Sequence, residues 1–167
     1  MKVHGANTIF GNAELHAHEK YTTYMIFETS VRVRYAETDA MGVVHHSRYF
    51  VWLELARVEW LKACGLDYKK LEQDGFFLPV VEADLKYHAP TFFDDEIRIK
   101  LTPPQDIHRV RFALTYELFR GEIRVADGKT VHVFLNKERK LIKPPMFFIE
   151  VVLKQLNTTA SLRPCGV

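Results

Sequence analysis

Alternation of apolar and polar residues with period two runs through the second half of the chain. Val81, Ala83, Leu85 and Tyr87 alternate with Glu82, Asp84, Lys86 and His88, and Ile97, Ile99 and Leu101 alternate with Glu96, Arg98 and Lys100. Successive side chains of a strand point to opposite faces, so each run predicts a strand with one apolar face. Pro90 and Asp94-Asp95 mark the turn between them. Val110, Phe112, Leu114, Tyr116 and Leu118 make a longer run, and Ile123 to Phe134 another, with Arg120-Gly121 between. Asp127-Gly128 lies inside that last run, where we expect a bulge rather than a hairpin turn. Upstream, Phe27, Val31, Val33 and Tyr35 predict a first strand in a stretch rich in β-branched and aromatic residues.

One segment breaks the period. Arg48 to Cys64 has helical propensity and is apolar almost all round, with Phe50, Val51, Trp52, Leu53, Leu55, Ala56, Val58, Trp60 and Leu61. Ser47 is the expected N-cap and Gly65 the C-cap. At about 100° per residue Arg48, Glu59 and Lys62 form the one solvated stripe, while Glu54 and Arg57 predict a partly buried ion pair. A short helical turn spans Tyr68 to Gln73, and after Pro144-Pro145 a short helix is expected over Phe147 to Leu156. The order of strand, long helix and four strands predicts an α+β fold, a five-stranded antiparallel sheet wrapped around a long central helix. That helix carries more apolar surface than one sheet covers, so self-association is expected. Residues 1–24 show no sustained periodicity and read as a flexible leader; 25–145 form the domain, and 146–167 a C-terminal tail.

Composition narrows the function. A chain of 167 residues suits one domain, and 47% hydrophobic with 26% charged residues is the balance of a globular protein. No apolar run approaches the roughly 20 residues of a membrane helix, and the first residues lack the pattern of a secretory signal. A net charge of +2 falls short of a nucleic-acid binder. Cys64 and Cys165 are too few for a disulfide framework, which fits a reducing cytoplasm. His16 and His18 lack a third metal ligand, and there is no His-Glu-x-x-His, Cys-x-x-Cys, Gly-x-Gly-x-x-Gly or Walker loop.

The chemistry-bearing stretch is Tyr35 to Tyr49. It holds Thr38-Asp39-Ala40-Met41-Gly42-Val43-Val44-His45-His46, then Tyr49 and a helix continuing as Leu53-Glu54-Leu55-Ala56-Arg57. Together with Val80 to Tyr87, Ala89-Pro90, Asp94-Asp95 and Thr130 to Phe134, this resembles the hotdog-fold acyl-CoA thioesterases. The nearest groups are the 4-hydroxybenzoyl-CoA type and the type found in the bacterial Tol-Pal cluster. The resemblance runs from about Val31 to Pro144 and implies a hotdog fold.

It also implies that Asp39 is the catalytic carboxylate, as nucleophile or as general base toward water. His46 lies at the helix start, where unpaired N–H groups and the positive end of the dipole suit an oxyanion. Tyr35 and Val44 are further candidate substrate contacts. Phe76, Phe77, Leu78 and Pro79 are candidate acyl walls, and Arg98, Lys100, Arg109 and Arg111 candidate partners for the CoA phosphates. No cofactor is expected, since coenzyme A belongs to the substrate. A dimer is the expected minimum unit, extending to a tetramer of two dimers. The rival readings are an Asp39 that only shapes a turn, Glu54 as the carboxylate, a non-catalytic acyl-CoA binding module, and a hotdog hydratase or dehydratase. Cys64 reads as a buried thiol.

Overall fold

The computed structural model describes residues 26–158, apart from residues 105 and 108 and the side chains of 155–158. The whole leader, with His16 and His18, lies outside the described residues, as do His108 and Cys165.

The β-branched and aromatic stretch and the four alternating runs form strands: β1 (Phe27–Arg32), β2 (Val80–Tyr87), β3 (Glu96–Thr102), β4 (Arg111–Arg120) and β5 (Ile123–Leu135). They pair antiparallel in the order β1-β3-β4-β5-β2. A two-residue β6 (Leu141–Ile142), not anticipated, pairs with Phe134 and Leu135 of β5. Ile97, Ile99 and Leu101 of β3 and Leu114, Tyr116 and Leu118 of β4 are buried, whereas Arg98, Lys100 and Glu117 between them meet counter-charges. The inner face therefore needs a cover. It is α1 (His46–Ala63), which buries Tyr49, Trp52, Leu53, Ala56, Arg57, Trp60 and Leu61; each large apolar side chain so buried contributes about 1.5–3 kcal/mol. This is the hotdog arrangement.

Two smaller helices close the ends of the core. The six-residue α2 (Tyr68–Gln73) is capped by Asp67, whose carboxylate accepts from Lys69 N and Lys70 N. In α3 (Met146–Thr158) Phe148 packs on Phe134 with ring centroids 4.8 Å apart. No helix among the described residues is long and apolar enough to cross a membrane.

Five local expectations are corrected. Tyr35 belongs to a 3₁₀ turn, Tyr35–Glu37, and not to β1. The N-cap of α1 is His45, whose Nδ1 accepts from Ser47 N at 3.4 Å, so Ser47 lies inside the helix. Glu54 forms no ion pair with Arg57; the Arg57 guanidinium instead donates to the Leu78 carbonyl at 3.0 Å and lies 5.1 Å above the Tyr68 ring. A buried guanidinium takes the acceptor that shares its burial, and Glu54 is exposed. Asp127 and Gly128 run through β5 without a bulge, paired to Glu117 and Tyr116. The bulge falls at Val125, because Leu118 pairs with Ala126 while Phe119 pairs with Arg124. Finally, β2, an edge strand, fully buries no side chain: Leu85 packs partly against the core, while Val80, Val81 and Tyr87 remain exposed, as do Phe50, Val51 and Leu55 of α1.

Gly128 is there for close approach. A Cβ at that position would lie 2.6 Å from the Asp84 carbonyl oxygen and 2.7 Å from Leu85 Cδ2, so any side chain pushes β2 off β5. Gly128→Ala is expected to lower unfolding stability by about 1–3 kcal/mol, read as an earlier urea midpoint with an unchanged slope. A midpoint equal to wild type would mean that β2 is not held at this distance.

Candidate active site

The loop before α1 is a tight turn. Gly42 N donates to Asp39 O and Asp39 N to Val43 O, both at 2.9 Å. Gly42 has φ +76, the left-handed region where glycine carries no Cβ penalty. Asp39 Oδ1 accepts from Met41 N at 2.8 Å, so this carboxylate does shape its turn, as its chemistry allows. Its other oxygen, Oδ2, takes no bond from the described residues.

The turn is stitched to the strand connection opposite. Val44 N donates to the Thr91 carbonyl at 2.9 Å, and Val43 bridges Phe92. Thr91 Oγ1 and Tyr49 OH are 2.8 Å apart in a buried pair. Tyr87 OH donates to the His46 carbonyl at 3.0 Å, and its ring meets that of Tyr49 edge-on at 5.0 Å. Asp39, Met41, Val43, Val44, His46, Tyr49, Tyr87, His88, Ala89 and Pro90 thereby surround a cavity of about 360 Å³. Ser47 N and Arg48 N are taken by His45 Nδ1 and His45 O. The His46 N–H has no acceptor among the described residues, and it sits at the positive end of an 18-residue helix.

Glu37 fixes this helix start. The carboxylate is 3% exposed and accepts from Arg34 N at 2.8 Å, Arg34 Nη2 at 3.0 Å and Trp52 Nε1 at 3.1 Å. Its backbone carbonyl accepts from His45 N at 2.9 Å. One residue thus ties the 3₁₀ turn, the N-cap and the second turn of α1 together. Burial alone would push the Glu37 carboxyl up, but the bonds from Arg34 and Trp52 outweigh it and hold the group below its ordinary value.

Residues 33–156 match the family described as the thioesterase-like superfamily. The chain belongs to this superfamily, a family of thioester hydrolases. A crystal structure of a hypothetical protein from Aquifex aeolicus is 34% identical with a TM-score of 0.72, covering 75% of this chain and 98% of that one. A 1,4-dihydroxy-2-naphthoyl-CoA hydrolase of Thermosynechococcus vestitus is 31% identical over 119 residues, 68% of this chain and 81% of the relative. The crystal structure of a 1,4-dihydroxy-2-naphthoyl-CoA thioesterase from Synechocystis aligns at 27% identity and a TM-score of 0.70, covering 77% and 96%.

Within this thioesterase-like chain the anticipated site residues fall into two groups. Asp39, Val44 and His46 share the cavity, whereas Tyr35 does not line it and is exposed, with its ring 5.6 Å from Phe93. The others lie elsewhere. Phe77 bridges Leu135 beneath the Arg139 guanidinium, and Pro79 precedes the far end of β2. Arg98 meets Glu28 and Glu122 over the Phe119 ring on the outer sheet face. Arg109 pairs with Asp106 in the β3–β4 connection. Arg109 and Pro79 are at the end of the sheet opposite Asp39, about 23 Å along a strand of β2's length. Glu54 lines a second cavity of about 410 Å³ with Phe50, Leu53, Arg57, Val80 and His132. It is eight residues up α1 from His46, about 12 Å away. His132 there is neutral: burial first, then the nearby Arg57 charge, push it down to about 3. The buried Cys64 thiol is pushed up to about 11 by desolvation and is inert.

Sequence reasoning missed Glu37, Tyr87 and Thr91. Their only signal is proximity to the Asp39 loop and to Ala89-Pro90, which does not say that they meet. Because the Glu37 carboxyl is lowered in the folded state, its stabilisation is present above the unfolded-state value near 4.5. It is lost as pH falls through the still lower folded value. Glu37→Gln is expected to cost about 1–3 kcal/mol at pH 7 and to flatten the loss of stability on acidification, followed by thermal melts from pH 7 to pH 3. An acid limb as steep as wild type would assign that limb to other carboxylates.

Proposed function

We propose that the chain hydrolyses an acyl-coenzyme A thioester to the free acid and CoA, with Asp39 as its working carboxylate. The observation that carries this reading is the arrangement of one cavity: a carboxylate oxygen without a partner on one wall and the unpaired His46 N–H of a helix start on another. Thioester hydrolysis needs those two things. A nucleophile or base must meet the carbonyl carbon, and a preorganised donor must meet the charge that develops on its oxygen. The His46 N–H is that donor. The Tyr87 bond to the His46 carbonyl and the Glu37 bond to His45 hold the first turn still while charge develops, which is where preorganisation lowers the barrier.

The acyl group is small and aromatic in this reading. The walls of Val43, Val44, Tyr49 and Tyr87 are apolar and flat-sided, and the relatives named for dihydroxynaphthoyl-CoA point the same way. The alternative is an acyl-CoA binding module, which would keep the walls and have no need of Asp39.

The functional unit is a dimer. β2 is an edge strand with most of its side chains exposed, and Phe50, Val51 and Leu55 of α1 lie exposed on the neighbouring helix. A second copy adding its own β2 edge would cover them about a two-fold axis and remove an aggregation-prone edge. Phe50→Glu is expected to shift the protein from dimer to monomer in analytical ultracentrifugation; an unchanged mass would reject this face as the contact.

The functional test is thiol release from a panel of aliphatic and aromatic acyl-CoAs. Folded Asp39→Asn is expected to lose at least about a hundredfold in kcat/KM, roughly 2.7 kcal/mol of barrier, with binding retained. Equal turnover by the variant would remove Asp39 from catalysis. Binding without turnover in wild type would favour the binding module.

A further inference from the structure

His88 stands in the wall of the Asp39 cavity, and the reading above gives it no part. Its position is built. Where β4 and β5 slip register, Val125 is the extra residue, and its carbonyl accepts from both His88 N at 2.8 Å and Ala89 N at 3.2 Å. A bulge of this kind bends its strand and re-aims neighbouring side chains. Here it ends the β2 pairing and sets His88 beside β5, with its Nε2 on the Asp127 carboxylate. That bond, ahead of opposing burial and of the Arg124 and Lys86 charges, holds the Asp127 carboxyl below the usual range. Asp127 therefore stays ionised beside the ring. Asp39, His46, Tyr49 and Tyr87 line the same cavity.

We propose that His88, oriented by Asp127, is the general base that brings water onto the acyl group, and that Asp39 is the nucleophile. The inference rests on the thioesterase reading and resolves the choice it leaves open. In the tautomer that donates Nε2–H to Asp127, the ring's lone pair lies on Nδ1. Asp39 Oδ2 attacks the thioester carbon, a C–O bond forms, and the C–S bond breaks with its electron pair leaving on sulfur. Water then adds to the mixed anhydride. His88 Nδ1 takes one proton from that water and passes it to the CoA thiolate; the other remains on the released carboxylic acid, and Asp39 returns as carboxylate. A carboxylate that itself deprotonates water has no use for an oriented imidazole in the same cavity, whereas one that becomes an anhydride requires a separate base. Asp127 is a positioning residue that stabilises the imidazolium formed in passing.

The experiment is rapid-quench thiol release, using whichever acyl-CoA of the panel wild type turns over fastest. His88→Gln is expected to release about one thiol per chain in a burst and then to turn over at least about a hundredfold more slowly than wild type. Asp127→Asn should show the same burst with a smaller loss, and Asp39→Asn no burst. A His88→Gln enzyme that turns over at the wild-type rate overturns the inference. So does one that loses turnover with no burst, since the missing step would then precede acyl transfer. In both cases dependence on Asp39 leaves the thioesterase reading standing. A wild type that releases thiol from no acyl-CoA removes that reading, and this inference with it.

Discussion

The burial of α1 against one face of the sheet is the constraint on which the other features depend. Tyr49, Trp52, Leu53, Ala56, Trp60 and Leu61 are removed from water by strands whose inner positions are almost all aliphatic or aromatic. A helix held along that stripe has little freedom to slide, because close-packed interiors admit few alternative registers. Its N-terminus is therefore delivered to one place at the sheet's end. Glu37 sets its rotation and height, since a buried carboxylate must keep all its donors, and those donors come from Arg34 and from Trp52 on the helix itself.

Local chemistry follows from that placement. The Asp39 turn closes over the helix start because Val44 and Val43 are bonded to Thr91 and Phe92. The cavity is the gap that remains between this turn and the end of β2. Its polar groups have distinct physical sources: Asp39 from a glycine-assisted turn, the His46 N–H from a helix end, His88 from a strand bulge. None depends on a long flexible segment, so the geometry is carried by backbone bonds and little must be ordered when substrate enters.

The sheet's edge would tie the site to assembly in the proposed dimer. Tyr87 at the end of β2 and His88 after it stand in the cavity wall, and most of the strand's side chains are exposed. Any second chain docked along it would also close the groove between α1 and β2. Catalysis and association would then share one strand. Gly128 lets β5 approach β2 closely along this strand.

The sequence alone determined the elements. The resemblance of one loop and its helix to the hotdog thioesterases implied Asp39 and His46, while alternation named four of the long strands, β-branched and aromatic content named β1, and the unbroken apolar run named α1. Those are local properties: strand period, helix propensity and turn chemistry are written within a few residues of each other. Tertiary structure decided everything that depends on partners distant in the chain. Arg57 chose the Leu78 carbonyl over Glu54, because burial and not helical spacing sets which acceptor a guanidinium needs. β2 looked like the other amphipathic strands and proved to be an uncovered edge, since alternation says which face is apolar and not what covers it. Arg98 and Arg109, candidate partners for the CoA phosphates, are paired with Glu28 and Asp106. Glu37, a lone acid in a turn, became the anchor of the helix only when the fold brought Trp52 to it. His88 and Asp127, 39 residues apart, read as polar strand positions until the register of β2 on β5 set them side by side.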